Sequence, residues 1–490
     1  MKQSNNLEGA KPTNFRWTIC LMLFLATTVN YLDRQVLSLT WKDFIAPEFH
    51  WTDEHYGTIA AFFSIAYAIS MLFAGRFIDI MGTKKGYLWA IGVWSFGACA
   101  HALCGVATEM FTGLESAAAL QAVEAGSALA FTIASVSTWA FLVARTILAL
   151  GEAGNFPAAI KVTAEYFPKR DRAFATSIFN AGATVGALAA PLTIPFIARY
   201  FRDLGFGGGW EAAFLLIGAL GFIWMGFWIF IYKKPTESRH VNQAELDYIN
   251  SDNNDDEPTD EPEQVTERKV SMLECFRYRQ TWAFVAGKFM TDGVWWFFLF
   301  WTPAYLSDVY GYSSDSTMGM VLIFTVYAIS MLSIYGGKLP TIIMNKSKKN
   351  PYSARMQAML IFAFFPLLAL FAQPLGNYSP WFPVIIIGIA AAAHQSWSAN
   401  IFTTVSDMFP KSMIGTIVGI GSMAGGVASF IINLGSGKLF TYAGETGMTF
   451  LGFEGKPAGY FIIFIICSVA YLLGWSIMKM LVPKYSPIKL

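Results

Sequence analysis

Long apolar stretches alternate with short polar connections along almost the whole chain. A helix that crosses a bilayer needs about 20 apolar residues, and stretches of that length recur twelve times. Runs of short alternating strands are absent from the sequence, and only helices or closed barrels satisfy backbone groups in lipid. The pattern therefore predicts an all-α polytopic membrane protein. The twelve predicted transmembrane helices lie at 17–39, 56–77, 86–106, 136–157, 172–199, 212–232, 281–307, 317–336, 354–373, 381–406, 412–439 and 457–481.

The composition agrees with a membrane protein. Hydrophobic residues make up 55% of the 490 residues and charged residues only 14%, whereas about 25% of a soluble domain is charged. The formal net charge is +1, and no basic block interleaved with aromatic residues indicates a nucleic-acid partner. The five cysteines have neither disulfide nor metal-site spacing. We therefore expect no metal or other cofactor.

A polar, acidic stretch divides the chain in the middle. Its sequence, KKPTESRHVNQAELDYINSDNNDDEPTDEPEQVTERK, is rich in charge and carries prolines, which is typical of a solvated linker. We predict a six-helix bundle over 1–232, a cytoplasmic linker over 233–280 and a second six-helix bundle over 281–490. The lysines and arginines of the short loops fall mostly in even-to-odd connections, which places both termini in the cytoplasm.

The two halves resemble each other. EYFPK recurs as DMFPK after an offset of 242 residues, and each copy precedes a glycine-rich helix. The same offset relates Glu152 to His394 and Asn180 to Ser422. A parallel repeat with a site between its halves near the midplane is one plan of secondary transporters. We therefore expect two pseudosymmetric bundles with these matched polar residues around a shared cavity.

One segment does not follow the repeat. Residues near 108–135 lengthen the connection between the third and fourth spans and are rich in alanine. A short extra periplasmic helix on the outer mouth and a simple surface insertion both fit this composition.

Charged residues lie inside the first and fourth spans. A charged side chain at the centre of a membrane helix costs about 2.5–3.5 kcal/mol, so it faces a protein interior or a watery cavity. Asn30, Asp33 and Arg34 share one helix face, and Arg145 and Glu152 share another. Structural ion pairs would lower the cost. Protonation of a carboxylate would lower the cost too. A proton-coupled carrier needs a carboxylate that can gain and lose a proton in this way, and we expect Asn30 and Arg145 to support that coupling.

The seventh predicted span offers a lysine and three tryptophans. Lys288 either pairs with Asp292, at i+4, or gives the cavity a second positive charge. Trp295, Trp296 and Trp301 present flat faces either to a sugar ring or to neighbouring helices.

The tenth predicted span carries a polar run, AHQSWSAN. It places His394, Gln395 and Asn400 within two turns. Amide side chains both donate and accept hydrogen bonds, which suits a polyol. His394 is either a second titratable group or a neutral, packed histidine.

The loop motif AGRFIDIMGTKKG follows the second span. Gly75 would let helices approach, Asp79 would cap a helix or pair with a cation, and Gly82 would allow a turn. Lys84 and Lys85 mark the cytoplasmic side. We expect these residues to control a gate and not the choice of substrate.

Six stretches together resemble a known family: NYLDRQ, the loop motif, ALGEAGNFPAAIK, EYFPKRDRAFATSIFNAG, KFMTDGVWWFFLFWTPAYL and AAAHQSWSANIFTTVSDMFPK. They are similar to the anion:cation symporter family of the major facilitator superfamily, in its hexuronate branch of glucuronate and galacturonate carriers. The resemblance covers nearly the whole chain. It implies that Asp33 and Glu152 are proton sites and that Arg145 modulates the glutamate. The substrate contacts that it implies are Tyr31, Arg34 and Tyr67.

The predicted function is proton-coupled import of an anionic sugar acid, a hexuronate in the first place, by alternating access. The alternative is a carrier of another organic anion, such as an aldonate or tartrate; a membrane sensor or enzyme is more remote. Relatives carry Gln at the position of Lys288, so its role stays open. We expect a monomer in the inner membrane, with lipid, protons and the organic anion as partners. The predicted substrate-binding residues are Tyr31, Arg34, Tyr67, Asn180, Lys288, Trp296, His394, Gln395, Asn400 and Ser422.

Overall fold

The apolar stretches form long helices in the computed structural model of the protein, which describes residues 11–251, 271–336 and 338–488. A π-helical segment, Trp41–Ile45, continues the first helix into the second. The first bundle contains α1 (Phe15–Thr40), α2 (Ala46–Phe49), α3 (Asp53–Met81), α4 (Thr83–His101), α5 (Cys104–Thr112), α6 (Ala117–Gln121), α7 (Ala128–Glu152), α8 (Asn155–Tyr166), α9 (Lys169–Asp203) and α10 (Trp210–Ile231).

Two short helices follow, α11 (Gln243–Ile249) and α12 (Met272–Cys275), and then the second bundle begins. A hairpin of β1 (Thr449–Phe450) and β2 (Phe453–Glu454) pairs Thr449 with Glu454 before the last helix. The second bundle contains α13 (Arg279–Tyr310), α14 (Thr317–Ser330), α15 (Ser333–Gly336), α16 (Leu339–Ser347), α17 (Pro351–Phe364), α18 (Ala372–Gly376), α19 (Trp381–Met408), α20 (Lys411–Thr446) and α21 (Lys456–Leu481).

Each of the twelve predicted spans coincides with a helix or a broken helix. Nine helical segments of the described residues are long and apolar enough to cross a membrane, and α4 with α5, bent by 46°, makes a tenth. The remaining predicted spans correspond to α13, which carries charged residues, and to α14, which has only 14 residues. The span predicted at 317–336 is a broken helix, because α14 ends at Ser330 and the chain turns before α15.

The predicted insertion near 108–135 contains a short helix, α6. Ser116 caps its first turn by accepting a hydrogen bond from the Ala119 backbone at 3.2 Å. The imidazole Nε2 of His50, in the turn after α2, lies 3.0 Å from the Leu120 carbonyl, and Leu120 is fully buried. The segment therefore packs on the first bundle, and α7 begins eight residues before the predicted start of its span at 136.

The start of the predicted linker also packs on the first bundle, whereas its acidic middle, 252–270, lies outside the described residues. Glu245 of α11 is fully buried. Its carboxylate accepts hydrogen bonds from the backbone of Phe15 at 3.0 Å and of Arg16 at 3.1 Å, and from Arg16 Nη1 at 3.1 Å. This carboxylate therefore accepts hydrogen bonds from backbone N–H groups that the first turn of α1 leaves free, and its negative charge lies at the positive end of the helix dipole.

Charged side chains join the two bundles at one end, called the closed end here. Lys42 Nζ of the first bundle lies 2.7 Å from Asp308 Oδ1 of the second and 3.5 Å from Asp53 Oδ1. Lys456 Nζ lies 2.5 Å from Asp53 Oδ2 and 3.1 Å from Asp308 Oδ1. These four residues form the closed-end cluster, in which each cation binds one carboxylate from each bundle.

Helices α3 and α20 form the seam that runs inward from the closed end. A Cβ atom on Gly57 would lie 2.7 Å from the Asn433 carbonyl oxygen and 2.8 Å from Gly437 Cα. Only glycine allows this approach. Further along the seam, the hydroxyls of Ser64 and Ser429 are 2.8 Å apart. The bundles are therefore in close contact from the closed end to Ser64.

Candidate functional site

A cavity of about 220 Å³ lies between the bundles, beyond the inner end of the α3–α20 seam. Two helices of the first bundle and three of the second line it. Eight of the ten predicted substrate-binding residues are in the lining. The lining residues are Tyr31, Arg34, Ser64, Tyr67, Ala68, Met71, Lys288, Asp292, Trp295, Trp296, His394, Gln395, Ser398, Phe402, Ser422 and Gly426.

Arg34 is the cation of the first wall. It donates to Glu152 Oε2 from Nε at 3.1 Å and from Nη2 at 2.7 Å. Its Cζ lies 4.8 Å from the Tyr67 ring centroid, 5.1 Å from that of Trp296 and 5.2 Å from that of Tyr31. A guanidinium among aromatic rings retains a favourable environment out of water. The anion site predicted at Arg34 is therefore occupied by a carboxylate of the protein itself.

Asp33 is buried behind this pair. It is 1% exposed, and neither of its carboxylate oxygens has a hydrogen-bond partner among the described residues. The Asn30 amide is equally buried and equally unpartnered within those residues. Asp33 does not pair with its neighbour Arg34, which is bound to Glu152. The Trp94 indole interacts with Asp33 as a donor but makes no hydrogen bond in standard geometry among the described residues, and burial of a carboxylate so weakly satisfied is costly.

Arg145 packs behind the cavity wall without touching Glu152. Its Nη2 donates to the Arg34 carbonyl at 3.0 Å, and its guanidinium lies 4.5 Å from the Phe63 centroid. Its Nε and Nη1 have no partner within the described part of the chain. It still attracts the carboxylates of Glu152 and Asp33 through its charge. The influence expected on Glu152 is electrostatic in this conformation.

Lys288 belongs to a second ion pair, on the wall formed by the second bundle. Its Nζ lies 2.6 Å from Asp292 Oδ2 and 4.4 Å from the Phe402 centroid. Lys288 is 5% exposed, and both members of the pair line the cavity. The two alternatives weighed from the sequence therefore hold together, because Lys288 is neutralised by Asp292 and also faces the cavity.

His394 is held on two sides. Its Nδ1 lies 2.7 Å from the Tyr471 hydroxyl, and its ring stacks on Trp295 at 5.2 Å with 8° between the planes. Gln395 and Ser422 lie in the lining beside it. The imidazole ring is therefore held by Tyr471 and Trp295 while His394 lines the cavity.

Two of the ten predicted substrate-binding residues, Asn180 and Asn400, lie outside the cavity, and so does Trp301. Asn400 Nδ2 donates to the Ser396 backbone carbonyl of its own helix at 2.8 Å. Asn180 is exposed on α9. Trp301 is fully buried, and its Nε1 donates to Asn433 Oδ1 at 2.9 Å, so it packs the closed end and offers no face to a sugar. Asn180 and Asn400 do not line the cavity in this conformation, and their contact with substrate stays a prediction.

The loop motif forms contacts at the end opposite the closed end. Asp79 pairs with Lys161 of α8 at 2.8 Å, and Lys84 Nζ donates to the Ile229 carbonyl at 2.7 Å. Gly82 has φ +77°, in the region that favours glycine. Lys85 is exposed.

Gly75 lies in open space in this conformation. A Cβ atom on it would meet no atom of the described residues within 4 Å. No helix approaches Gly75 closely here, and its expected role stays a prediction. The contacts of the motif, in contrast, stay within the first bundle.

Sequence reasoning missed several functional positions. The closed-end cluster uses four charges at the ends of spans, where charged residues are common and carry no distinctive signal. Ser64, Met71 and Phe402 line the cavity but look like ordinary span residues. Lys161, the partner of Asp79, had a detectable signal, because it is a lone cation near the end of an apolar helix.

A sequence model of the Major Facilitator Superfamily matches residues 23–433. The chain belongs to this superfamily. Members of it are transporters, so the prediction of a transporter and not an enzyme is confirmed. The superfamily fold accounts for the two six-helix bundles, and the protein is a multi-pass membrane protein.

Relatives and a solved structure agree with this membership. The chain is 27% identical over 433 residues to the hexuronate transporter of Escherichia coli K12, covering 88% of each chain. It is 26% identical to the "probable galactarate/D-glucarate transporter GarP" of the same strain, covering 94% of this chain and 96% of that one. Its fold matches the inward-facing, occupied crystal structure of a bacterial homolog of the human lysosomal transporter Spinster, with a TM-score of 0.66, 17% identity and coverage of 96% and 97%.

Proposed function

We propose that this Major Facilitator Superfamily protein is a proton-coupled symporter that imports an anionic sugar acid, a hexuronate in the first place. One observation carries the proposal. The only cation on the first wall of the cavity among the described residues, Arg34, holds a carboxylate, and Asp33 lies behind it without accepting a hydrogen bond within that part of the chain. A relative named as a hexuronate transporter supports the choice of substrate.

The charges of the first bundle explain why a proton would be needed. Asp33, Arg34, Arg145 and Glu152 comprise two cations and two carboxylates, all buried. Adding a substrate carboxylate to this set leaves one negative charge in excess inside the membrane, where uncompensated charge is costly. One proton taken up with each monocarboxylate keeps the net charge of the set unchanged.

The exchange of partners would proceed at Arg34. The substrate carboxylate takes the place of Glu152 on the guanidinium, in the same charge-assisted geometry. Glu152, once released, turns to the unpartnered Nε and Nη1 of Arg145. Asp33, which accepts no hydrogen bond among the described residues, carries the coupling proton. The aromatic rings of Tyr67 and Trp296 and the amide of Gln395 would hold the sugar ring.

Alternating access would follow from rocking of the two bundles about the cavity. The closed-end cluster and the α3–α20 seam hold one end shut. The distribution of Lys and Arg in the loops supports cytoplasmic termini, and with that orientation the open end would face inward from the inner membrane.

The second candidate is import of another organic anion, such as an aldonate or tartrate. The relative named as a probable galactarate/D-glucarate transporter supports this second candidate. It would use the same Arg34 site, since that site recognises a carboxylate and not a particular sugar.

The test is uptake of labelled glucuronate into proteoliposomes, with and without an inward proton gradient. We expect accumulation with the gradient, loss of accumulation in Asp33→Asn and retention of glucuronate exchange in that variant. Asp247→Asn, an exposed carboxylate on α11, is the matched control and should accumulate like wild type.

Each other outcome has a definite meaning. Unchanged accumulation by Asp33→Asn would remove Asp33 from coupling and move the proton to Glu152. Uptake that ignores the gradient would contradict symport. Absence of glucuronate uptake by folded protein, with uptake of an aldonate, would establish the second candidate instead.

A further inference from the structure

The cavity contains two cation–carboxylate pairs, one on each bundle. Arg34 with Glu152 is the first pair, and Lys288 with Asp292 is the second. Both cations are buried and both line the cavity. A single monocarboxylate needs only the first pair, so the second is unexplained by the proposed function.

Both cations line the same cavity, so a molecule with two carboxylates can contact both of them. The Arg34 guanidinium lies 5.1 Å from the Trp296 ring centroid. Asp292 and Lys288 precede Trp296 on α13 by one and two turns, about 6 and 12 Å along the axis. An extended chain covers about 3.3–3.6 Å per three bonds, so the five carbon–carbon bonds of a six-carbon dicarboxylate cover about 6 Å. A charge-assisted hydrogen bond of about 2.8 Å at each end brings the reach to about 12 Å.

From this geometry we infer that the Lys288–Asp292 pair is a second exchange site, which admits dicarboxylic sugar acids and takes up one further proton with them. The inference rests on the proposed function and extends it. The far carboxylate of the substrate replaces Asp292 on the Lys288 ammonium. Asp292, once displaced, binds a proton from the open end, so that two negative charges and two protons enter together.

The surroundings of Asp292 suit this exchange. Its Oδ2 would lie 2.2 Å from a Cβ atom on Gly425, so α20 confines the carboxylate to the side of Lys288. The titratable groups around the pair are His394 on α19, which interacts with Lys288, and Tyr471 on α21, which interacts with Asp292. Tyr471 also binds His394. The released carboxylate thus has no second cation within this set, and a proton is what can neutralise it.

The experiment compares glucuronate with D-glucarate in the same proteoliposomes at zero membrane potential. Symport with one proton accumulates substrate about tenfold per unit of pH gradient, and symport with two accumulates it about 100-fold. We expect about tenfold for glucuronate and about 100-fold for D-glucarate. Asp292→Asn should reduce the value for D-glucarate to about tenfold, because it removes the second proton site and leaves Lys288 able to bind.

Lys288→Gln separates recognition from coupling. We expect this variant to raise the half-saturating concentration of D-glucarate at least tenfold more than that of glucuronate. Lys349→Gln, an exposed lysine in the loop before α17, is the charge-matched control and should leave both substrates as in wild type.

The possible outcomes separate a failure of this inference from a failure of the proposed function. Accumulation of glucuronate without any uptake of D-glucarate overturns the inference and leaves the proposed function standing. Equal accumulation ratios for the two substrates, or an equal loss of both in Lys288→Gln, assign the pair to structure and also overturn it. Failure of both substrates in folded protein contradicts the proposed function itself.

Discussion

Arg34 and Glu152 are joined by two hydrogen bonds to one carboxylate oxygen, at 3.1 and 2.7 Å, although 118 residues separate them in the chain. The other oxygen, Glu152 Oε1, has no partner among the described residues. The pair therefore holds α1 against α7 at the level of the cavity while leaving the carboxylate partly unsatisfied. A ligand that offers Arg34 a better-placed carboxylate can compete for the same donors.

Replacement of Arg34 by Gln removes this cation. Breaking a buried ion pair by removing one partner costs about 3–5 kcal/mol, so we expect the ratio of maximal rate to half-saturating concentration to fall roughly 100- to 4000-fold. Arg239→Gln, an exposed arginine in the linker, is the control. Uptake by Arg34→Gln within tenfold of wild type would show that Arg34 does not bind the anion.

The glycines of the seam set how closely the bundles meet. A Cβ atom on Gly437 would lie 2.6 Å from the Asp53 carbonyl oxygen, whereas one on Gly435 would meet nothing within 4 Å among the described residues. Gly437→Val should therefore push the closed end apart, and Gly435→Val should not. Spin labels at positions 54 and 438, both exposed, measure the separation. Equal distance distributions in the two variants would contradict the role of the seam.

The closed-end cluster should set the balance between the closed and open states of that end. Lys456→Gln removes the ammonium that binds both Asp53 and Asp308. Hydrogen bonds to charged groups contribute about 1.5–3 kcal/mol each, so we expect the open population to rise roughly 10- to 100-fold. The same label pair reports the change, with Lys349→Gln as the control. A distance distribution like that of wild type would remove the cluster from gating.

Glu245 should stabilise the first bundle from the linker. Glu245→Gln keeps the shape of the side chain but loses its charge beside Arg16 and the α1 N-terminus, at a cost of about 1–3 kcal/mol. We expect a lower midpoint of thermal unfolding in detergent. Asp247→Asn lies on the same short helix but is exposed, so it should leave the midpoint unchanged. A similar midpoint for both variants would show that α11 adds no stability.

Hydropathy predicted the positions of the spans but not their continuity. It measures transfer of side chains to lipid, and the turn at 331–332 that separates α14 from α15 consists of Met331 and Leu332, which are apolar like most of α14. The start of α7 lies eight residues before the predicted one for a related reason, because an alanine-rich stretch is a good helix former whatever its depth.

The sequence predicted which helices carry the site residues but not which residues pair with each other. Asp33 and Arg34 are neighbours in sequence, and successive residues on a helix point about 100° apart. Arg34 therefore reaches Glu152 while Asp33 turns away from the cavity. Likewise Asn400 follows His394 by six residues, about 240° around α19. Ser398 and Phe402, four and eight residues on, are the ones that share its face and line the cavity.

Helix α13 contains both Asp292, in the cavity, and Asp308, in the closed-end cluster. The two positions are 16 residues apart, about 24 Å along one helix. The helix is unbroken between them, although Pro303 lies inside it. Because one helix contains both residues, a tilt of α13 at the cavity also moves Asp308 at the closed end. Exchange of partners at the Lys288–Asp292 pair would then be coupled to the closed-end cluster through the position of this helix.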